Sequence, residues 1–424
     1  MSSVSAPRYL TRFQCLAEAC EDTCCAGLVV PVSEARWGIL RGLVAGGSDA
    51  ALVEALVVPD PGSGTGAEAA YVTKREDGSC SFLDERKLCS LHRKYGEVAL
   101  PDACAMFPRV ATRRAGRLEV TGSFGCPEVV RLCLLAEDAL EQVLVDTSLV
   151  ARPEVARALE GEDAWMVHAA RVRDVALRIL ERREFPFASR LFMLGELARR
   201  LGSFYFRGTE VFREEGAEAL LTQTLAMFEV PETLAALHVA VSGVSLPGGP
   251  WAGICGTVLK ARLGAVGSER FAGWARAVLA SHGGPQASPE EVWARYGERR
   301  ARLEPVLGER MEQYFRHHAM NHWLRHPFTD APSVLDYVFK LVLRAAVLRW
   351  ALFGHPTVVT LCEREDLQPT EEARAQLDAA AVECFQLSAK HLEQSSELHA
   401  LAQGLSGGAG PDSLPRMLVL LQGL

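Results

Sequence analysis

From about residue 134 onward, apolar side chains recur at the spacing of an α-helix. Two stretches show the pattern most clearly, the first as Trp165, His168, Val172, Val175, Ala176 and Ile179 and the second as Leu191, Leu194, Ala198 and Leu201. Side chains at these intervals share one helix face, which packs against the rest of the protein. The pattern therefore predicts an α-helical domain over residues 134–424.

The first third of the chain has a different pattern, in which turn-rich loops join short elements. Residues 109–114 and 117–124 form two runs that can pair across Ala115 and Gly116, and a glycine-containing turn between such runs favours a β-hairpin. We interpret its arginines as a solvated face rather than an anion-binding patch. They are Arg109, Arg113, Arg114 and Arg117. The predicted fold is mainly α: a small cysteine-rich metal-binding module, residues 1–133, with this short β-hairpin, packed on the larger helical domain.

Hydrophobicity and charge limit the possible cellular location of the protein and the classes of partner that it can bind. The most apolar stretch, residues 335–353, is interrupted by Lys340, Arg344 and Arg349, which favours a buried core helix over a membrane span. The N-terminus lacks a basic start followed by an apolar stretch, so we expect a cytoplasmic protein. The net charge is −8, whereas nucleic acids bind concentrated basic surfaces. We therefore expect neither a nucleic acid nor a membrane as partner.

Cysteines supply the strongest chemical signal. Nine of the twelve lie in the first third of the chain, and in a reducing compartment such a density indicates a metal rather than disulfides. Thiolates are soft ligands that select zinc, copper(I) or iron-sulfur clusters. The spacing lacks the Cys-x-x-Cys knuckles of zinc fingers and suits a cluster gathered from several loops. The candidate metal ligands are Cys15, Cys20, Cys24, Cys25, Cys80, Cys89, Cys104 and Cys126.

The alternative interpretation of any one cysteine is a buried free thiol that acts as a small hydrophobic side chain. We favour this alternative for Cys255, Cys362 and Cys384, which stand singly in apolar helical surroundings.

One glycine-rich segment matches a cofactor loop in composition only. Residues 60–66 read Asp-Pro-Gly-Ser-Gly-Thr-Gly, like the loop with which many methyltransferases hold S-adenosylmethionine between a strand and a helix. Pro59 and Pro61 would remove hydrogen-bond donors from the required strand. We interpret the segment as a surface loop.

Three histidines recur every four residues, at His318, His322 and His326. On a helix they form a stripe that could offer metal ligands. Ligating histidines are usually oriented by carboxylates or carbonyls, and no acidic residue lies within this run. We favour a solvated or interface helix face, with Pro327 ending or kinking the helix.

Seven short segments together resemble the flagellin lysine N-methylase family, which belongs to a wider group of cysteine-cluster, zinc- or iron-chelating proteins. They read Tyr-Leu-Thr-Arg-Phe-Gln-Cys at residues 9–15, Cys-Glu-Asp-Thr-Cys-Cys-Ala-Gly at 20–27, Cys-Ser-Phe-Leu at 80–83, Leu-Cys-Ser-Leu-His at 88–92, Leu-Pro-Asp-Ala-Cys at 100–104, Phe-Pro-Arg at 107–109 and Cys-Pro-Glu at 126–128. A weaker likeness continues through Tyr314, Phe315, Asn321, Pro327 and Phe328.

The resemblance implies transfer of a methyl group from S-adenosylmethionine to lysine side chains of flagellin or another lysine-bearing protein. It also implies an iron-sulfur cluster, of the 4Fe-4S type, held by the eight cysteines, with zinc as the alternative metal. A different class of function stays open on the cysteines alone: a non-catalytic iron-sulfur or zinc-binding module for electron transfer or metal handling.

Methyl transfer to lysine needs the neutral amine, so the reaction requires desolvation of the lysine or a general base. The candidate bases close to the cysteines in sequence are Asp22, His92 and Glu128. We favour a structural role for each: a turn cap for Asp22, a core histidine for His92, and a helix N-terminal position for Glu128. The sequence therefore assigns neither a catalytic residue nor a pocket for S-adenosylmethionine.

Overall fold

The computed structural model describes residues 3–26, 29–59, 68–114, 116–159, 164–211, 214–393, 395–406 and 413–424. The chain divides into two compact units. The first, here called the cysteine unit, comprises Met1–Leu132, Glu141–Ala158 and Gly267–Arg270. The second, the helical unit, comprises Cys133–Leu140, Leu159–Val266 and Phe271–Leu424. All eight candidate metal ligands belong to the cysteine unit.

The strands found in the described part of the chain form two sheets in the cysteine unit. One sheet has five strands in the order β7-β1-β6-β5-β8, and the other has three in the order β2-β4-β3. β1 and β6 are parallel, as are β5 and β8, and the remaining neighbours are antiparallel. The strands are β1 Ser3–Pro7, β2 Pro31–Ser33, β3 Val57–Pro59, β4 Glu68–Val72, β5 Arg109–Arg114, β6 Arg117–Gly122, β7 Gln142–Asp146 and β8 Arg157–Ala158.

The predicted hairpin is confirmed as β5 and β6, which pair from Arg109 opposite Gly122 to Arg114 opposite Arg117. Gly116 adopts a φ of +73°, which favours glycine at this turn, and Ala115 lies outside the described residues. The prediction of a solvated arginine face holds only in part, since Arg117 is exposed but Arg109, Arg113 and Arg114 are part-buried. The hairpin is also not isolated, because β6 pairs with β1 and β5 with β8. Its two strands are therefore the inner strands of a sheet.

β1 and β7 were missed because each pairs with a strand that is distant in sequence. β1 pairs with β7, which places Ser3 opposite Asp146. Val4 and Ala6 are fully buried at alternate positions of β1. With only five residues, the strand is too short for its alternating pattern to be recognised from the sequence.

The described residues are mainly α-helical, which confirms the predicted fold class. The helices are α1 Arg8–Thr11, α2 Glu34–Val44, α3 Ala50–Leu56, α4 Ser90–Tyr95, α5 Asp102–Met106, α6 Pro127–Leu135, α7 Ala164–Glu181, α8 Phe187–Val211, α9 Ala217–Met227, α10 Pro231–Ser242, α11 Gly249–Leu263, α12 Glu269–Ser281, α13 Pro289–Arg325, α14 Val334–Gly354, α15 Pro356–Glu363, α16 Glu371–His391, α17 Ser396–Ser406 and α18 Ser413–Leu421.

The predicted helix faces of the helical unit are buried. On α7 the buried positions are His168, Val172, Val175, Ala176 and Ile179, and on α8 they are Leu191, Leu194, Ala198 and Leu201. The side chain of Trp165 lies outside the described residues. α14 is buried along almost its whole length, as predicted for the most apolar stretch. Cys255, Cys362 and Cys384 are also buried, which agrees with their interpretation as core thiols.

The described helices were compared with the length and hydropathy that a membrane span requires. No single one of them is long and apolar enough to cross a membrane. α9 and α10 meet the requirement only as a pair, and they are bent by 66° relative to each other.

Replacing Gly122 with alanine should destabilise the cysteine unit. A Cβ atom at this position would lie 2.7 Å from Val129 Cγ1 and 2.9 Å from Tyr9 Cε2. Overpacking of this kind costs about 1–3 kcal/mol, which a lower urea midpoint of unfolding would measure.

Gly42→Ala is the matched control, because Gly42 lies on the exposed face of α2 with open space around its Cβ position. Alanine there should be neutral or stabilise the unit by up to about 1 kcal/mol. Equal midpoints for the two variants would contradict the close packing around Gly122.

Candidate functional site

Four of the candidate ligands come together at one small apolar core of the cysteine unit. Cys80 is part of this core, and Cys25, Cys89 and Cys104 pack against it. The remaining core residues are Val30, Val32, Leu40, Val44, Val53, Ala70, Val72, Phe82, Leu83, Leu91 and Ala99. We call Cys25, Cys80, Cys89 and Cys104 the four-thiol group.

Backbone hydrogen bonds between two loops bring Cys25 and Cys80 together. The backbone N–H of Cys80 donates to the carbonyl of Cys25 at 2.7 Å, and Ala26 forms an antiparallel bridge with Ser79. The turn before Cys80 is held by Asp77, whose carboxylate accepts the backbone N–H of Ser79 at 2.9 Å. Two distant loops thus present their cysteines side by side.

A second turn and a short helix supply the other two thiols. Asp84 Oδ1 accepts the backbone N–H groups of Arg86 at 3.0 Å and of Leu88 at 2.9 Å, which closes the turn before Cys89. Cys104 lies on α5, where its backbone N–H donates to the carbonyl of Pro101 at 3.0 Å.

The surroundings of the four-thiol group oppose free thiolates. Burial, together with the neighbouring Cys25, Cys89 and Cys80, raises the pKa of Cys104 to about 12. Burial likewise raises the pKa of Cys80 and Cys89. A metal ligand must be a thiolate, so these thiols would lose their protons only when a metal compensates for the buried charge.

A buried cation supports the fit of a metal centre at this group. The Nζ atom of Lys74 is buried and has no hydrogen-bond partner among the described residues. Its charge favours the thiolate forms of Cys25, Cys80 and Cys104 and opposes the rise in their pKa values. Four thiolates around a metal or an iron-sulfur cluster would carry net negative charge, for which the Lys74 ammonium is the counter-ion.

Cys15, Cys20 and Cys126 interact electrostatically with one another, and we call them the three-thiol group. The pKa of Cys126 is raised to about 11, mainly by burial; the first backbone N–H groups of α6 oppose the rise, and Cys20 and Cys15 add to it. Cys20 Sγ lies 3.1 Å from the carbonyl oxygen of Asp22, and Cys15 is exposed. This group is more open to solvent than the four-thiol group.

The three-thiol group also has a buried cation beside it. Burial lowers the pKa of Arg109, whereas the thiolates of Cys126 and Cys15 raise it. Arg109 Nε is buried and unpaired within the described part of the chain. The guanidinium carbon lies 5.1 Å from the centre of the Phe13 ring, which fixes the side chain beside the thiols.

Cys24 belongs to neither group by its exposure. It is exposed, and its interaction with Cys25 is the main cause of the raised pKa of the Cys25 thiol, with burial second. The structure therefore distributes the eight candidates as four, three and one.

Among the described residues, no three cysteine sulfurs lie within 4.8 Å of one another. The thiolates of one tetrahedral zinc ion are about 3.8 Å apart at a Zn–S distance of about 2.3 Å. The thiols therefore do not stand in a preformed tetrahedral arrangement.

The histidine stripe in the helical unit is not solvated. His322 is buried near the end of α13, and His326 follows that helix. His326 Nε2 lies 2.9 Å from Glu393 Oε1. Arg325 and Arg344 donate to the same carboxylate at 3.1 and 3.3 Å. The interpretation as a solvated or interface face is wrong, because Glu393, far along the chain, supplies the acidic partner that the local sequence lacks.

We call His322, Arg325, His326, Arg344 and Glu393 the His-Arg-Glu cluster. His322, His326 and Glu393 place donor atoms within 4.8 Å of one another, as a metal site would. Two guanidinium groups already neutralise the one carboxylate, so a metal cation would add positive charge to a buried cluster that has an excess of it. We therefore assign an ion-pair network rather than a metal centre.

The family model for the FliB lysine N-methylase C-terminal domain matches residues 173–420, more than half of the chain. The chain belongs to the FliB family. This confirms the resemblance found in the sequence. The match begins after the last candidate metal ligand, so it includes the His-Arg-Glu cluster and none of the eight cysteines.

Three FliB-type relatives match about a third of the chain. A Lysine-N-methylase of Salmonella typhimurium (strain LT2) is 26% identical over 140 residues, which cover 32% of this chain and 34% of the relative. A Lysine-N-methylase of Salmonella choleraesuis is 26% identical over 151 residues, with the same coverage. The Flagellar biosynthetic protein FliU of Salmonella muenchen is 25% identical over 140 residues, 32% of this chain and 80% of the relative.

The chain thus spans about a third of the length of the two lysine-N-methylases. No solved structure matches.

The three candidate bases have different surroundings in this FliB-family chain. Glu128 lies in the first turn of α6 and pairs with Arg131, as its structural interpretation predicts. His92 is exposed on α4, so its interpretation as a core histidine is wrong. Asp22 Oδ2 lies 4.0 Å from Arg270 Nη1. None of the three is held as a buried base.

The glycine-rich segment at residues 60–66 lies outside the described residues, but its neighbours are described. β3 ends at Pro59 and β4 begins at Glu68, and the two strands are antiparallel. A cofactor loop of the Rossmann type joins a strand to a helix that leads to a parallel strand. The flanking strands therefore agree with the predicted surface loop.

Glu393→Gln should destabilise the helical unit by about 3–5 kcal/mol, because it leaves the buried guanidinium groups of Arg325 and Arg344 without a counter-charge. Urea unfolding followed by circular dichroism measures the change. The control is Glu383→Gln, which removes a half-exposed carboxylate 3.0 Å from His355. It should cost less than about 1 kcal/mol, and equal losses would contradict the buried network.

Stability of the helical unit should fall as the pH drops below about 6.5. Burial lowers the pKa of His317 to about 4, that of His282 to about 3, and that of His322 well below its usual value. An unfolded histidine binds its proton near pH 6.5. Between these values the unfolded state binds more protons, so the free energy of unfolding decreases with decreasing pH.

Urea midpoints between about pH 8 and pH 5 test this dependence. Burial alone would raise the pKa of Glu393, but Arg325, His326 and Arg344 hold it well below its usual value, so its contribution is lost at still lower pH. Replacement of the exposed His92 by asparagine should leave the slope unchanged. A midpoint that stays constant or rises toward pH 5 would contradict the burial of these histidines as neutral groups.

Proposed function

We propose that the chain is a cytoplasmic protein-lysine N-methyltransferase that transfers methyl groups from S-adenosylmethionine to lysine side chains of a flagellin-type protein. We also propose that its cysteines hold an iron-sulfur cluster. The main support for this activity is membership of the FliB family, whose model matches residues 173–420. Two relatives named Lysine-N-methylase and one named Flagellar biosynthetic protein support the reaction and the substrate class.

The chemistry sets a requirement for the substrate lysine. A bond forms between the lysine nitrogen and the methyl carbon while the bond from that carbon to the sulfonium sulfur breaks, and the product sulfur is a neutral thioether. The nitrogen must first lose its proton, and a free lysine with a pKa near about 10.4 is almost wholly protonated at neutral pH. Desolvation of the ammonium or a base must therefore lower its pKa.

The positive charge of the His-Arg-Glu cluster makes the cluster an unfavourable site for methyl transfer. It contains two guanidinium groups and one carboxylate, and burial keeps the neighbouring histidines neutral by lowering their pKa values. Both reactants carry positive charge when they bind. The lysine is an ammonium until it loses its proton, and S-adenosylmethionine is a sulfonium until the methyl group is transferred. Their binding would thus add cations to an already positive, buried cluster.

The metal part of the proposal is supported by the four-thiol group and by Lys74. Cys25, Cys80, Cys89 and Cys104 meet at one apolar core, and the buried Lys74 ammonium favours the thiolate forms of three of them. When bound, an iron-sulfur cluster supplies one-electron redox chemistry and cross-links the loops that hold it.

The second candidate function is a non-catalytic metal-binding module. The observation in its favour is that the thiols and their buried cations lie outside the segment that matches the FliB model. Metal binding could therefore serve electron transfer or metal handling without methyl transfer.

A methyl-transfer assay should distinguish the two functions. Anaerobically purified, iron-loaded protein is incubated with isotopically labelled S-adenosylmethionine and flagellin, and labelled methyl groups on lysine are identified by mass spectrometry. We expect label on lysine, with a rate that rises by up to about tenfold per pH unit until the bound lysine is deprotonated. Flagellin whose lysines have been acetylated is the control and should accept no label.

Failure of label to appear on flagellin or on any protein of a cell extract, with the iron content intact, would exclude the methyltransferase. The same result would favour the metal-binding module.

A further inference from the structure

One histidine of the His-Arg-Glu cluster has its proton position fixed by its neighbours. Arg344 Nη1 lies 3.2 Å from His322 Nδ1, and a guanidinium group can only donate hydrogen bonds. His322 Nδ1 is therefore the acceptor, which places the ring proton on Nε2. The rings of Tyr337 and His326 hold this orientation, with their centres 4.9 and 4.8 Å from the centre of the His322 ring.

The fixed N–H group of His322 is buried without an acceptor. His322 is 6% exposed, and its Nε2 atom has no hydrogen-bond partner among the described residues. Arg325 Nε and Arg344 Nε are buried in the same condition within that part of the chain. Leaving a buried donor unpaired costs free energy, so three such donors in one contact network indicate an acceptor supplied by a ligand.

Glu393 cannot be that acceptor, because both of its carboxylate oxygens are engaged. Oε1 accepts from His326 at 2.9 Å and from Arg344 at 3.3 Å, and Oε2 accepts from Arg325 at 3.1 Å. Arg349, on the same helix as Arg344, shows the contrast. Its Nε donates to the hydroxyl group of Tyr296 at 3.1 Å, and its Nη2 pairs with Glu304.

The cluster has an excess of one positive charge. Arg325 and Arg344 share the single carboxylate of Glu393, and His322 is neutral because its Nδ1 accepts a hydrogen bond.

Further charges around the cluster cancel in sign. Lys340 interacts with Asp336 as well as with Arg344, and Arg173 and Asp330 act on Tyr337 in opposite directions.

The donors and the charge define the chemical class of the ligand. Guanidinium and imidazole N–H groups only donate, so the ligand must offer acceptors. A carboxylate offers two oxygens and one negative charge, which equals the excess of the cluster. A metal cation would increase that excess, and a phosphate monoester, with about 1.5 to 2 negative charges at pH 7, would overcompensate it.

We propose that the His-Arg-Glu cluster is a binding site for the carboxylate group of a small molecule, with His322 Nε2 as the fixed donor and Arg325 and Arg344 as the counter-charge. The site itself does not depend on methyl transfer. One source of the carboxylate does rest on the proposed function: the amino-acid end of S-adenosylmethionine. Only that end would lie at the cluster, so the sulfonium and the methyl transfer lie elsewhere.

Acetate is the first probe. Its binding to the full-length protein can be followed by nuclear magnetic resonance of ¹³C-labelled acetate at constant ionic strength. We expect saturable broadening of the acetate resonance. Arg325→Gln should weaken acetate binding by about ten- to a hundredfold, because it removes a charged donor.

His322→Phe is a second variant, which serves if Arg325→Gln fails to fold. It keeps a ring beside Tyr337 and the charge of the cluster but removes the Nε2 donor, so acetate binding should weaken by about tenfold. Arg302→Gln is the matched control, because it removes an exposed guanidinium from the same helix, α13. It should bind acetate like the wild type.

Wild-type protein that binds no acetate saturably would overturn the site. Equal affinities for acetate in the wild type, Arg325→Gln and His322→Phe would also overturn it. Acetate binding that depends on these residues in a protein without methyltransferase activity would support the site and contradict only the proposed function.

Calorimetry with S-adenosylmethionine and its decarboxylated analogue then identifies the source of the carboxylate. If the source is S-adenosylmethionine, Arg325→Gln weakens its binding and leaves that of the decarboxylated analogue unchanged. If Arg325→Gln loses acetate binding but keeps the affinity for S-adenosylmethionine, the site serves a separate small carboxylate.

Discussion

Negative charge on buried sulfur is the constraint on which the cysteine unit depends. Cys80 is part of its small apolar core, and three further cysteines pack against that core. Burial keeps these thiols protonated, yet a metal binds them only as thiolates. The metal and the nearby cations must together compensate for the buried charge. Lys74 and Arg109 are the contribution of the protein. Each has a buried nitrogen without a hydrogen-bond partner among the described residues, and each interacts favourably with the thiolates of nearby cysteines.

The helical unit also contains buried charge, which ion pairs neutralise. Arg344 and Arg349 interrupt the apolar sequence of α14, and each finds a carboxylate from another part of the unit, Glu393 and Glu304 respectively. A guanidinium can be buried at a tolerable free energy only when such a partner is present. These pairings explain how the most apolar helix of the chain carries charge inside a packed core.

The proposed enzyme combines two parts that separate observations support. Family membership concerns residues 173–420, almost wholly within the helical unit, and it supports methyl transfer. The metal chemistry rests on thiols that precede this segment and on their spacing, charge and exposure. Because the two lines of support are independent, the metal content and the transferase activity can be established separately.

The sequence by itself determined the helical character of the larger unit, the burial of α14, the β5–β6 hairpin and the thiols available for a metal. These follow from local periodicity, turn residues and the chemistry of cysteine, all of which act over a few neighbouring residues. Only the tertiary structure decided that β1 pairs with β7, that Glu393 neutralises the arginines near His322, and that Cys104 packs at the same apolar core as Cys25, Cys80 and Cys89. Each of these pairings joins residues far apart in the chain, and their free energy depends on burial and charge that exist only after folding.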